Sequence, residues 1–248
     1  MAYWLELKTM WKISHMVFYS YLVENFPLMQ EGTLALKMNI SQARALAEFY
    51  AENGWRTQPF TITYIEDAHP DTWKPTLNQP DRFNDVRILW KPKEEEIIIS
   101  CAATTEPGVR AVKNRMNRNG TFAIALDTHF KECWEIGRHI TRNSNQWALV
   151  QCDQIKGYRD DNEDFIRTGD KLYTDGAGVN QHTTGNSEDS PAPTRVGGHS
   201  YGCLVGQHPI THYTKFMPAC RDSGQKKFDT VVLDGGKFWK WLQAKNYV

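Results

Sequence analysis

The stretch DVRILWKPKEEEIIISCAA, Asp85 to Ala103, sets two β-rich runs, VRILW and EIIIS, on either side of the charged segment KPKEEE. Branched and aromatic residues at this density read as strands, and the polar connection reads as a solvated turn between them. Similar short runs recur downstream as TFAIAL (121–126), QWALVQC (146–152) and TVVLDG (230–235), with no strong helical period between most of them. Short strands separated by long loops point to a sandwich or barrel rather than a parallel α/β sheet. The expected fold is therefore a mainly β sandwich or barrel over residues 85–248. A C-terminal helix with an aromatic face, KFWKWLQAKNYV (237–248), closes it.

Residues 1–84 read as a separate helical or mixed region with no assigned role. NISQARALAEFYAENGW (39–55) has Ala43, Leu46, Ala47 and Tyr50 at helical spacing, Ser41 as the expected N-cap and Gly54 where a terminating glycine belongs. FTITYI (60–65) reads as a strand, followed by an irregular passage from 67 to 84. The N-terminal MAYWLELKTMWKISHMVFYSYLV is interrupted by Glu6, Lys8, Lys12 and His15 and lacks a basic leader and a small-residue cleavage site. It reads as a packing helix or partner-facing arm, not as a secretion signal. No run reaches the ~18 apolar residues of a membrane span.

Twenty-nine basic and 29 acidic residues in 248 leave no net charge, so nothing in the total drives the chain toward nucleic acid or an anionic membrane. Five cysteines, an odd number without a CxxC pair, argue against a disulfide framework and a structural zinc knuckle. Most of the nine tryptophans should be core, with Trp73 and Trp90 as candidates for a carbohydrate-stacking platform. RAVKNRMNRNG (110–120) carries four basic residues. It reads as an exposed loop or as a face toward an anionic glycan or phosphate.

The chemistry concentrates in GVNQHTTGNSEDSPAPTRVGGHSYGCLVG, Gly178 to Gly206. Gly202 directly precedes Cys203, so the backbone can approach a substrate closely, and the amides of both residues are candidate donors to an oxyanion. His182 ends the strand-like AGVNQH. The polar, glycine- and proline-containing loop after it can bring that histidine beside the cysteine as its base. His199, Tyr201 and Arg195 are candidate substrate-binding residues, and His208 and His212 read as surface or packing residues. A zinc site of His182, His199 and Cys203 is an alternative, although no HxxxH or HxH pair anchors it. A buried, inert thiol is the plain one.

NQH followed by GGHSYGCLVG resembles the L,D-transpeptidase (YkuD-type) catalytic domain, in which a strand-end histidine precedes a Ser-x-Gly-Cys motif. TTEPGVR (104–110) followed by TFAIAL is similar to that family's TPxG turn and next strand. The stretches 158–182 and 202–217 resemble a phage and prophage branch of it. The resemblance covers roughly the last 150 residues, the size of one domain. It implies a β-sandwich-like fold, with Cys203 as nucleophile, His182 as base, and Ser200 and Gly202 as motif positions shaping the turn. The implied reaction is acyl transfer or hydrolysis on peptidoglycan stem peptides at the cell wall, without a required cofactor. The chain departs from the family at Tyr201, usually His, Lys or Arg, and at Val205, usually Arg or Asn. Those departures leave hydrolysis and cross-linking open, and also a non-catalytic cell-wall-binding or virion module on the same fold.

Upstream, DDNEDFIRTGD (160–170) gives Asp160, Asn162, Asp164 and Asp170 the D-x-N-x-D spacing of oxygen-ligand calcium loops. The sixth loop position is not glycine and the twelfth is Lys171, so a structural calcium ion competes with a plain Asx-rich turn.

Overall fold

A computed structural model describes residues 27–248, and the N-terminal aromatic segment lies outside them. The chain divides into two compact units, residues 1–42 and Ala43–Val248. Of the first, the described part is the opening of helix α1 (Pro27–Glu52). Ser41 therefore lies inside a helix and not at its N-cap. The other end is as expected: Gly54 adopts φ +64°, and Trp55 N–H returns to the Tyr50 carbonyl at 2.9 Å.

In the second unit eight strands close into a barrel, β1 (Thr61–Ile65), β2 (Asp85–Lys91), β3 (Glu96–Thr104), β5 (Thr128–Thr141), β6 (Ser144–Gln151), β9 (Gln181–Thr183), β10 (Leu204–Gly206) and β11 (Lys227–Leu233). Around the barrel the order is β1-β11-β5-β6-β9-β10-β3-β2. The mainly β reading holds, but the hydrogen bonding runs continuously round a barrel instead of leaving two sheets with free edges. The boundary expected at residue 84 also fails. Strand β1 lies between β2 and β11, parallel to β11 from Ile62 opposite Thr230 to Ile65 opposite Leu233. It is buried throughout, so the β unit cannot be closed without residues N-terminal to 84.

The run VRILW has no alternation because both of its faces are covered. Val86, Ile88 and Trp90 join Tyr50 and Leu46 of α1 and Phe238 and Leu242 of helix α5 (Gly235–Ala244) in one apolar cluster. Leu89 turns the other way, into the main core with Ile62, Tyr64, Trp134 and Leu204. Trp73 and Trp90 are fully buried, so neither offers a sugar platform. Their rings were worth more to the core than to the surface.

A second sheet, β4-β7-β8, sets β4 (Thr121–Ile124) and β8 (Lys171–Gly176) against β7 (Ile155–Asp160). Short helix α2 (Val109–Lys113) precedes it. Between β10 and β11 the chain makes α3 (Pro209–Thr211), a π-helical turn (His212–Phe216) and α4 (Met217–Asp222). Among the described residues no helix is long and apolar enough to cross a membrane.

Candidate active site

The parallel pairing of β9 with β10 builds the site. Leu204 lies opposite Gln181 and Val205 opposite His182, so Cys203, one residue before β10, emerges level with Asn180. The 20 residues between His182 and Cys203 form the returning loop that this register requires.

The turn carrying the cysteine leaves little freedom at Gly202. Its φ is +117°, and a Cβ there would lie 2.7 Å from the Phe122 carbonyl oxygen. Ser200, fully buried, donates its hydroxyl to the Cys203 carbonyl at 2.8 Å and accepts the Gly202 N–H at 3.2 Å. The Gly202 amide is thus taken up within the turn and is not the oxyanion donor expected of it. The Pro-Gly turn of TTEPGVR braces the same segment, with Gly108 N–H donated to the Ser200 carbonyl at 3.0 Å.

His182 donates Nδ1–H to the Thr183 carbonyl at 2.8 Å, which leaves Nε2 as the basic nitrogen. That nitrogen is buried and has no hydrogen-bond partner among the described residues. A ring nitrogen of His182, one of His139 and Cys203 Sγ all lie within 4.8 Å of one another. His139, near the end of β5, stacks on His182 with ring centroids 4.0 Å apart and planes 7° from parallel. Asn180 ties the group together: its side-chain amide meets His139 Nδ1 at 3.0 Å, and its carbonyl accepts Leu204 N–H at 3.0 Å.

Burial fixes the resting protonation. It pushes the Cys203 thiol up to about 11, against a smaller opposite pull from a hydrogen bond with the Asn180 backbone. Burial, and secondarily His139, holds His182 well below the ordinary histidine range. The pair therefore rests as neutral thiol and neutral imidazole, and the thiol donates to the Gly178 carbonyl at 3.4 Å.

Of the other expected site residues, His199 and Tyr201 line the cleft that opens on Cys203. Arg195 does not: it is exposed and turned toward Asp81, 3.6 Å away. His208 is exposed, and His212 is buried, its Nε2 on the Trp147 carbonyl at 2.8 Å and its Nδ1 3.3 Å from Arg87. Val205 is fully buried between Thr104 of β3 and His182 of β9. It is a barrel residue here and not a substrate contact.

The zinc grouping changes partner, from His199 to His139. Imidazole binds a metal in its ring plane, and two rings stacked this nearly parallel direct their lone pairs alongside one another instead of to a common point. The carboxylates of the expected calcium loop are partly engaged within the loop. The Asp160 carboxylate accepts the amides of Asp164 and Phe165, and the Asp164 carboxylate accepts Ile166 N–H and the Asn162 amide. Asp170 is raised to about 6 by burial and by Asp160 and Asp164. Asp160 and Asp164 thus bond chiefly to their own loop's backbone, as in Asx turns.

Sequence reasoning gave no site role to His139, Asn180, Arg142 or Arg159, whereas Arg110 lies in the basic run read as an exposed loop or a face toward an anion. Asn180 was inside the quoted motif but carried no role there, and His139 sits on a strand whose polar sequence gave no alternation. Comparison with known proteins finds no matching family model, no similar curated protein and no similar solved structure.

Proposed function

We propose that this protein is a cysteine-dependent acyltransferase or hydrolase of the L,D-transpeptidase type, acting on peptidoglycan stem peptides at the cell wall. The observation that carries the reading is the buried His182 ring, one nitrogen of which lies within 4.8 Å of Cys203 Sγ, with Nδ1 fixed on the Thr183 carbonyl and Nε2 without a partner among the described residues. A buried acceptor left without a partner costs stability, and its retention next to a thiol favours a chemical role for it.

Because both groups rest neutral, proton transfer accompanies attack. His182 Nε2 takes the Sγ proton as sulfur bonds to the peptide carbonyl carbon. The resulting imidazolium protonates the departing amine, and the C–N bond breaks to leave a thioester on Cys203. Water or an acceptor amine then gives its proton to His182 as it attacks the thioester. The C–S bond breaks and the thiol regains its proton. His139 and Asn180 hold the imidazole plane through these steps, and no metal is required by them. Digestion of purified peptidoglycan, with products identified by mass, tests the reading. Wild type should yield cleaved or cross-linked stem peptides, and Cys203→Ala and His182→Ala should yield none.

A second reading draws on the thiol being pushed up to about 11 by burial: a cell-wall-binding or virion module that keeps the fold without turnover. Binding of peptidoglycan that is unchanged in Cys203→Ala, with no product from wild type, would select it.

A further inference from the structure

The cleft over Cys203 has a volume of about 690 Å³ and is lined by Arg110, Arg142 and Arg159 together with His139, His182 and His199. Among the described residues no aspartate or glutamate lines it. In a chain with balanced total charge, the three arginines are a local segregation of cations around one thiol.

The three arginines come from separate elements: Arg110 from α2, Arg142 from the turn after β5, and Arg159 from β7. Arg159 is the most constrained. Its side chain is only 10% exposed, and its nearest carboxylate, the exposed Asp175, stands at 3.9 Å. One guanidinium nitrogen donates to the Gly120 carbonyl at 3.3 Å, and the buried Nε has no partner among the described residues. The group lies 5.5 Å from the centre of the Phe122 ring, and the backbone of Phe122 abuts Gly202. Arg110 runs alongside Gly198, so that a Cβ there would meet its Cδ at 3.4 Å. An under-neutralised, partly desolvated guanidinium gains most from a carboxylate, which it can hold with two parallel hydrogen bonds.

We infer that Arg159, with Arg110 and Arg142, forms a carboxylate-binding wall that selects acyl substrates bearing a free carboxylate beside the bond attacked by Cys203. The substrate class rests on the peptidase reading above, whereas the charge selection does not.

The test compares alkylation of Cys203 by iodoacetate, an anion, and iodoacetamide, its neutral analogue, read site by site by mass spectrometry. The ratio of the two rates cancels the thiol's own reactivity and reports the field of the cleft. Focusing by a cationic cleft should raise the ratio about tenfold over its value in high salt. Arg110→Gln, Arg142→Gln and Arg159→Gln should each lower it several-fold. The two exposed arginines keep the test valid if Arg159→Gln does not fold. A stem peptide with a free carboxylate should protect Cys203 at lower concentration than its carboxamide. A ratio indifferent to salt and to all three variants would overturn the inference. A ratio that responds as expected, in a protein that turns over no peptide, would uphold the anion wall and reject the peptidase reading.

Discussion

His139 stacks face to face on His182, with centroids 4.0 Å apart and planes 7° from parallel. The stack fixes the plane of the His182 ring, the proposed base, while the Thr183 carbonyl fixes which of its nitrogens is free to accept a proton. His139→Ala removes one of these restraints and leaves the base in place. Turnover should fall about ten- to a hundredfold, the cost of an ångström-scale misplacement, with KM little changed. Steady-state kinetics on a defined muropeptide check this. An unchanged kcat would show that the stack has no part in orientation.

Gly202→Ala tests the turn. Its left-handed backbone and the 2.7 Å approach to the Phe122 oxygen leave no room for a methyl group. The variant should lose about 2 kcal/mol or more of stability and essentially all Cys203-dependent activity. Urea denaturation alongside the activity assay separates the two effects.

The pH dependence of Cys203 follows from the thiol lying at about 11. Below that value each pH unit raises the thiolate population about tenfold. Alkylation by iodoacetamide should therefore climb steadily between pH 7 and 10. A plateau near neutrality would mean that a preformed thiolate–imidazolium pair exists instead of the neutral pair described above.

The buried acids near β1 give a stability prediction. Burial, and then Asp85 and Glu66, raise Asp67 to about 8. A carboxyl group raised in the folded state stabilises fully below its unfolded value near 4, and that stability is lost as pH rises through 8. Asp67→Asn keeps the acceptor for the Asn84 amide and tolerates the φ of +52°. It should match wild type at pH 4 and become more stable than wild type as pH rises, by about 1 kcal/mol at pH 8 once solvent screening is allowed for. Thermal melts at both pH values decide it.

The legible parts of this fold were those with an unbroken local pattern. VRILW and EIIIS read as strands because their branched residues are dense. The 43–54 helix segment read correctly because Ala43, Leu46 and Tyr50 bury one stripe and Gly54 ends it. Strand β5 was invisible for a physical reason: Glu132 adopts φ +53° beside an irregularity in the β5–β11 register, and Cys133 and Trp134 are buried in succession. The bulge is held by Asp229, which accepts Glu132 N–H at 2.8 Å, His129 Nε2 at 2.8 Å and Arg56 through both oxygens. A contact set spanning Arg56 to Asp229 has no local signature. With β5 hidden, His139 was hidden too.

His182 and Cys203 were legible because a strand end, a loop and a glycine-backed cysteine lie close in sequence. Arg195 was misplaced because sequence nearness to the motif says nothing of Asp81, which captures it. The cleft arginines come from three distant elements, and the basic run 110–120 was the one hint of them.

The most direct test is to trap the acyl intermediate. A muropeptide is mixed with the protein, the reaction is stopped in acid, and the digested chain is weighed peptide by peptide. A mass increment equal to the acyl fragment is expected on the peptide containing Cys203, removable by hydroxylamine as a thioester is. Turnover without that adduct, sustained in Cys203→Ala, would overturn the cysteine mechanism.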